Sequence, residues 1–222
     1  LRLAADVYTS AERPVVSPDP TFESAATYAA FLGAEVRRVR IGADFRTDLD
    51  AMIDACEGAG LVVHCNPNNP TATVHSASNT RDFIERIHRR SPETMVLVDE
   101  AYHHYVTDPE YESAIPIALE NPKIIVSRTF SKAYGLAGLR IGFAVAHPET
   151  IAELARLRGP DRSMNLPGRV GVVAALERGH GPVMEEQARN TSVRDFTRKF
   201  FHDAGFEDTD CQANFILVDI RR

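Results

Sequence analysis

Apolar positions along the chain fall into two alternating arrangements. Short runs rich in β-branched residues have strand length: Leu61–Cys65 (L-V-V-H-C), Met95–Val98 (M-V-L-V), Ile124–Val126 (I-I-V) and Leu139–Ala146 (L-R-I-G-F-A-V-A), with Pro14–Ser17 ahead of them. The first three are separated by amphipathic stretches, Ser78–Arg90 and Ser113–Glu120. Helices are also predicted over the Ala-rich segment Phe22–Leu32 and over Thr47–Cys56, where Thr47 or Asp48 can cap, and Glu35–Arg40 alternates as an exposed strand does. Runs buried on both faces and joined by helices make an α/β fold: a mostly parallel sheet with helices on both faces. In such sheets the ligand crevice lies at the carboxyl ends of the strands.

From Pro148 the pattern turns mostly helical, through Ile151–Leu157, Val170–Arg178 and a polar helix from about Pro182 to Ala204, with a break signal at Arg158–Arg162 (R-G-P-D-R). A last strand pattern, Asn214–Ile220, needs a sheet partner, expected beyond Arg222. These changes divide the chain into a large domain over 1–180 and the beginning of a small α+β domain over 181–222. The opening Leu1–Ala5 reads as the interior of a helix and carries no methionine. A longer polypeptide is therefore expected, with part of the large domain ahead of this segment and the rest of the small domain after it.

Composition narrows the function classes. With 222 residues, 44% hydrophobic and 25% charged, the chain is neither collagenous nor intrinsically disordered. A net charge of -6 speaks against a nucleic-acid or anionic-membrane partner, and no apolar run approaches the length of a membrane span. Cys56, Cys65 and Cys211 are odd in number, widely spaced and without a C-x-x-C pair, so neither a disulfide framework, a zinc site nor any other metal is expected, and a reducing cytoplasmic setting suits them. Among 25 basic residues only Lys123, Lys132 and Lys199 are lysines, so lysine-dependent chemistry has three candidates.

Polar clusters follow three of the predicted strands directly. Asn66–Thr71 (N-P-N-N-P-T) follows the first, Asp99–Tyr102 (D-E-A-Y) the second and Ser127–Lys132 (S-R-T-F-S-K) the third. Taken singly, Asn-Pro runs also make turns, an Asp-Glu pair also caps helices, and a lysine is most often a solvated side chain. Together, at parallel strand ends, they converge on one crevice. Other chemistries lack their signatures: there is no G-x-G-x-x-G after a strand, no G-x-x-x-x-G-K-[ST] and no G-x-S-x-G, and His103-His104 lacks the spacing of a zinc motif and reads as loop or surface. A lysine amine able to form a Schiff base, a carboxylate for a pyridinium nitrogen, and hydroxyls with an arginine for a phosphate describe a pyridoxal phosphate site.

The strings N-P-N-N-P-T, V-D-E-A-Y and S-R-T-F-S-K-A-Y-G-L-A-G-L-R-I-G resemble those of the fold-type I pyridoxal-phosphate aminotransferases, class I/II. The A-G-L-R-I-G ending is most similar to the histidinol-phosphate aminotransferase branch. The resemblance is strong over Pro14–Pro148 and weak beyond. It implies that Lys132 holds pyridoxal 5'-phosphate and shuttles the substrate proton, that Asp99 pairs with the ring nitrogen, and that Asn69 and Tyr102 hydrogen-bond the ring 3-oxygen. It further implies that Thr129, Ser131 and Arg140 hold the phosphate, that Arg128 points away, and that Phe22 stacks on the ring where the family more often has Tyr or Trp. The family's glycine after N-P-N-N-P-T is Ala72 here, so a tight turn must accommodate a Cβ. The phosphate-capping glycine-rich turn is expected ahead of Leu1, and the arginine for the substrate carboxylate beyond Arg222, with Arg221 and Arg222 too early for that role.

The activity implied is amino-group transfer by a ping-pong mechanism between an amino acid or a histidinol phosphate-like amine and a 2-oxo acid, in a cytoplasmic homodimer. Its partners are small molecules, with no nucleic acid and no membrane. Elimination, decarboxylation or oxidation on the same cofactor, or a degenerate non-catalytic member, remain as alternatives.

Overall fold

The computed structural model describes residues 1–158 and 164–220. The break expected at Gly159, Pro160, Asp161 and Arg162, and residues Arg221 and Arg222, lie outside the described residues.

Five strands, β1 (Val15–Asp19), β2 (Val36–Arg40), β3 (Leu61–Cys65), β4 (Met95–Asp99) and β5 (Ile124–Thr129), run parallel, and β6 (Gly142–Ala146) closes the edge antiparallel to β5. The spatial order is β2-β1-β3-β4-β5-β6. From β1 the chain goes outward to β2 and returns on the other side of β1 to β3. That reversal of winding opens a crevice beyond the carboxyl ends of the strands. Helices α1 (Arg2–Tyr8), α2 (Ser24–Phe31), α3 (Leu49–Ala55), α4 (Ala77–Arg90), α5 (Ile115–Glu120) and α6 (Pro148–Arg158) cover the sheet. Asp48 rather than Thr47 caps α3, its carboxylate accepting from the Ala51 N–H at 3.0 Å, and Ser76 caps α4 through Asn79.

The uninterrupted apolar runs have a simple cause. Along β4, Met95 and Leu97 enter one core with residues of α1, α2 and α6, while Val96 and Val98 enter the other with residues of α3, α4 and α5. Both faces are covered, so both parities are apolar. β2 stands at the edge, and its arginines Arg37, Arg38 and Arg40 are partly or fully exposed accordingly.

Two strand expectations change. The run Leu139–Ala146 forms a strand only over Gly142–Ala146, and it runs antiparallel. The connection from β5 contains just a short 3₁₀ turn at Ala137–Leu139, without the covering helix a parallel crossover uses. The final strand pattern, Asn214–Ile220, shortens to β8 (Val218–Asp219), and its partner lies within the chain: β7 (Glu207–Asp208), antiparallel. The preceding residues are drawn inward instead, with Gln212 N–H donating to the Ala72 carbonyl at 2.7 Å and Phe215 against Tyr102. Helices α7 (Leu166–Glu177) and α8 (Gly181–Asp203) complete the chain, and α8 lies against the 3₁₀ turn His103–Tyr105, where the buried Arg194 donates to the Tyr105 carbonyl at 3.4 Å and to Thr107 Oγ1 at 3.0 Å.

Candidate active site

Strand parity decides which polar residues reach the crevice. On the face carrying Leu61, Val63, Leu97 and Ile125, the next residues of that parity are Cys65, Asp99, Ser127 and Thr129. On the opposite face stand Glu100 and Arg128. A cavity of about 630 Å³ opens at the first face, and all eight sequence-predicted residues line it: Phe22, Asn69, Asp99, Tyr102, Thr129, Ser131, Lys132 and Arg140.

Asp99 ends β4, only 6% exposed. Burial pushes its carboxyl above the usual range, while the Ser127 hydroxyl, donating to Oδ1 at 2.9 Å, pulls it back. Asn69 Nδ2 donates to the Tyr102 hydroxyl at 3.1 Å, joining the loop after β3 to the loop after β4. Tyr102 in turn meets Phe215 edge-on with centroids 5.0 Å apart, and the Lys132 ammonium lies 4.9 Å from the Tyr102 ring centroid. The Thr129 hydroxyl accepts from the Ser131 N–H at 3.0 Å, which shapes the turn leading to Lys132. Phe22 follows β1 and is 47% exposed at the mouth.

Two non-glycine residues at the site occupy left-handed backbone. Ala72 has φ +57° with its methyl fully buried, so the turn expected to accommodate a Cβ does so in the conformation glycine would adopt at least cost. Arg140 also has φ +57°, following the 3₁₀ turn whose Ala137 carbonyl accepts from its Nη1 at 2.8 Å. Strained backbone of this kind clusters where function constrains the chain.

The sequence model of the family described as aminotransferase class I and II matches residues 1–221. The chain belongs to the aminotransferase class I and II family. Among curated relatives, the histidinol-phosphate aminotransferase of Moorella thermoacetica is 37% identical over 224 residues, covering 100% of this chain and 56% of the relative. That of Bacillus subtilis is 35% identical over 208 residues, covering 93% and 56%. The chain therefore spans little more than half the length of these relatives. The crystal structure of histidinol-phosphate aminotransferase from Sinorhizobium meliloti in complex with pyridoxal-5'-phosphate matches with a TM-score of 0.87 and 27% identity, over 99% of this chain and 59% of that one.

Two features of this aminotransferase-family chain were not assigned from sequence. Ser127 belonged to a cluster singled out at a strand end, but its contact needed the β4–β5 register, which sets it beside Asp99. Asn165 does two jobs: Oδ1 caps α7 through the Gly168 N–H at 2.7 Å, and Nδ2 donates to the Leu139 carbonyl at 2.9 Å, next to Arg140. The Asn-Leu-Pro helix start was the available signal. Arg128, expected to point away from the phosphate-holding set, makes a buried pair with Glu100, Nη2 to Oε2 at 2.7 Å. His103 and His104 are half-buried, not surface residues, stacked edge-on with each other and near Tyr111 and Tyr134; burial and the Arg128 charge push them down to about 3 and about 4.

Proposed function

We propose that this chain is the cofactor-binding portion of a pyridoxal 5'-phosphate-dependent aminotransferase that moves an amino group between a histidinol phosphate-like amine and a 2-oxo acid. The observation that carries the reading is the convergence of an amine, a buried carboxylate and a hydroxyl–guanidinium set on one cavity of about 630 Å³. The volume and the donor set fit a small phosphorylated aromatic ring. The names of the curated relatives, and the cofactor in the Sinorhizobium meliloti structure, support the same reading.

Bound there, the cofactor supplies an electron sink conjugated to the substrate Cα. Lys132 would hold the cofactor through its amine and would serve as the base that moves the proton from the substrate Cα. Asp99, as a buried anion, holds a proton on the ring nitrogen, so its loss lowers rate more than binding. Asn69 and Tyr102 bind the ring oxygen as a hydrogen-bonded pair, Phe22 covers the ring face, and Thr129, Ser131 and Arg140 bind the phosphate, Arg140 through a charge-assisted contact. As assembly and location we propose a homodimer in the cytoplasm, to which the three free, buried cysteines are suited.

The test is direct. The full-length protein that carries this chain, titrated with pyridoxal phosphate, should develop a visible absorbance band that Lys132→Ala abolishes, and added amino donor should convert it to pyridoxamine phosphate. A full-length protein that stays colourless and indifferent to the cofactor sinks the reading.

A further inference from the structure

At the carboxyl ends of three neighbouring strands the register sets Cys65, Asp99 and Ser127 side by side on the crevice face. The two neighbours of the carboxylate behave differently. The Cys65 thiol points its weak donor at the Pro67 carbonyl, 3.3 Å away, and stays a neutral wall. The Ser127 hydroxyl donates to Asp99 Oδ1 at 2.9 Å. Ser127 has little freedom to do otherwise. Its carbonyl accepts from the Glu100 N–H at 2.9 Å, and on the far side of the sheet the next residue, Arg128, is held by Glu100 through two contacts of 3.0 and 2.7 Å.

A carboxylate out of water reverts to its neutral form unless donors stabilise the charge, and a hydroxyl on a rigid strand does so while also fixing the carboxylate rotamer. We propose that Ser127 is a positioning residue for Asp99, its hydroxyl holding that carboxylate anionic and turned toward the nitrogen of the cofactor ring. This inference rests on the cofactor reading above and deepens it: the ring nitrogen is served by a hydroxyl–carboxylate pair, with Ser127 acting through Asp99 and not on the cofactor.

Ser127→Ala, Ser127→Thr and Asp99→Asn, singly and with Ser127→Ala combined with Asp99→Asn, test it with two readouts. One is equilibrium binding of pyridoxal phosphate to the full-length protein; the other is urea unfolding of that protein, cofactor-free, at neutral pH. Ser127→Ala is expected to weaken cofactor binding and to shift the unfolding equilibrium toward the unfolded state, each by about tenfold, the scale of a hydrogen bond to a buried charge. Ser127→Thr restores the hydroxyl and should recover both to within about threefold. In the Asp99→Asn background Ser127→Ala should change cofactor binding by less than about twofold, because no charge remains to hold. If Ser127→Ala does not fold, Ser127→Cys keeps the volume with a weaker donor and should shift both readouts in the same direction. Wild-type binding with equal losses in both backgrounds, or with no loss in either, overturns the role of Ser127 and leaves the cofactor reading standing. A full-length wild-type protein that binds no pyridoxal phosphate overturns the cofactor reading, and with it the orientation toward a ring.

Discussion

At His64 the strand parity that aims Cys65 at the crevice drives an imidazole into the opposite core, against Phe83 at 5.2 Å and His75 at 5.7 Å. Both ring nitrogens lack a hydrogen-bond partner among the described residues, and burial, then the neighbouring His75, pushes the group from 6.5 down to about 3. A base depressed in the native state contributes its stability above its unfolded value and loses it as pH falls toward the native value, because the unfolded chain takes a proton the folded one refuses. Stability should therefore drop between pH 6.5 and about 3, by up to about 1.4 kcal/mol per pH unit for this one group. His64→Leu should flatten that limb by about one proton, read from urea midpoints across the range; an unchanged slope refutes the assignment. Legibility at this scale was uneven. Asp99 and Lys132 were readable because they stand in polar clusters that directly follow apolar runs, whereas the burial of His64 and the Ser127–Asp99 contact depend on partners 11 or more positions away, which local pattern does not name.

Between elements, the Glu100–Arg128 pair ties the end of β4 to the end of β5 and reaches the start of α5. Glu100, with a side chain 1% exposed, accepts from Arg128, from the Ser113 hydroxyl at 2.8 Å and from the Ala114 N–H at 2.6 Å. Removing one partner strands a buried charge, so Glu100→Ala should cost about 3–5 kcal/mol. Replacing both, as Glu100→Gln with Arg128→Met, should cost less than the two single changes together, and a double-mutant cycle by urea unfolding measures that coupling. Strict additivity would show that the two charges act separately. The helices and the buried parallel strands were legible because burial on both faces forces continuous apolar runs. β6 and β8 were less so: an edge strand's direction follows from its connection, and the residues before β8 turn inward to meet Ala72 and Tyr102, contacts that override a strand-like pattern.

Over the molecule as a whole, two helices carry apolar stripes at helical spacing that face water: Leu166, Val170 and Val173 on α7, and Val193, Phe196 and Phe200 on α8, with Phe196 75% exposed. Exposed apolar stripes of this extent promote association. Val193→Gln with Phe196→Glu should lower concentration-dependent light scattering while leaving the unfolding free energy from urea titration within about 0.5 kcal/mol, since exposed side chains contribute little to the fold. A scattering profile that does not change would assign association to another surface. At this scale the chain's own order of residues already set the α/β class, the polar clusters at strand ends and the family, because periodicity and short motifs are local. Folding alone decided that eight separated side chains share one cavity, that Asp99 faces it while Glu100 turns away, and that Ser127 rather than Cys65 donates to the carboxylate. Those outcomes depend on register and on which face each strand turns inward, and such relations exist only once distant segments pair.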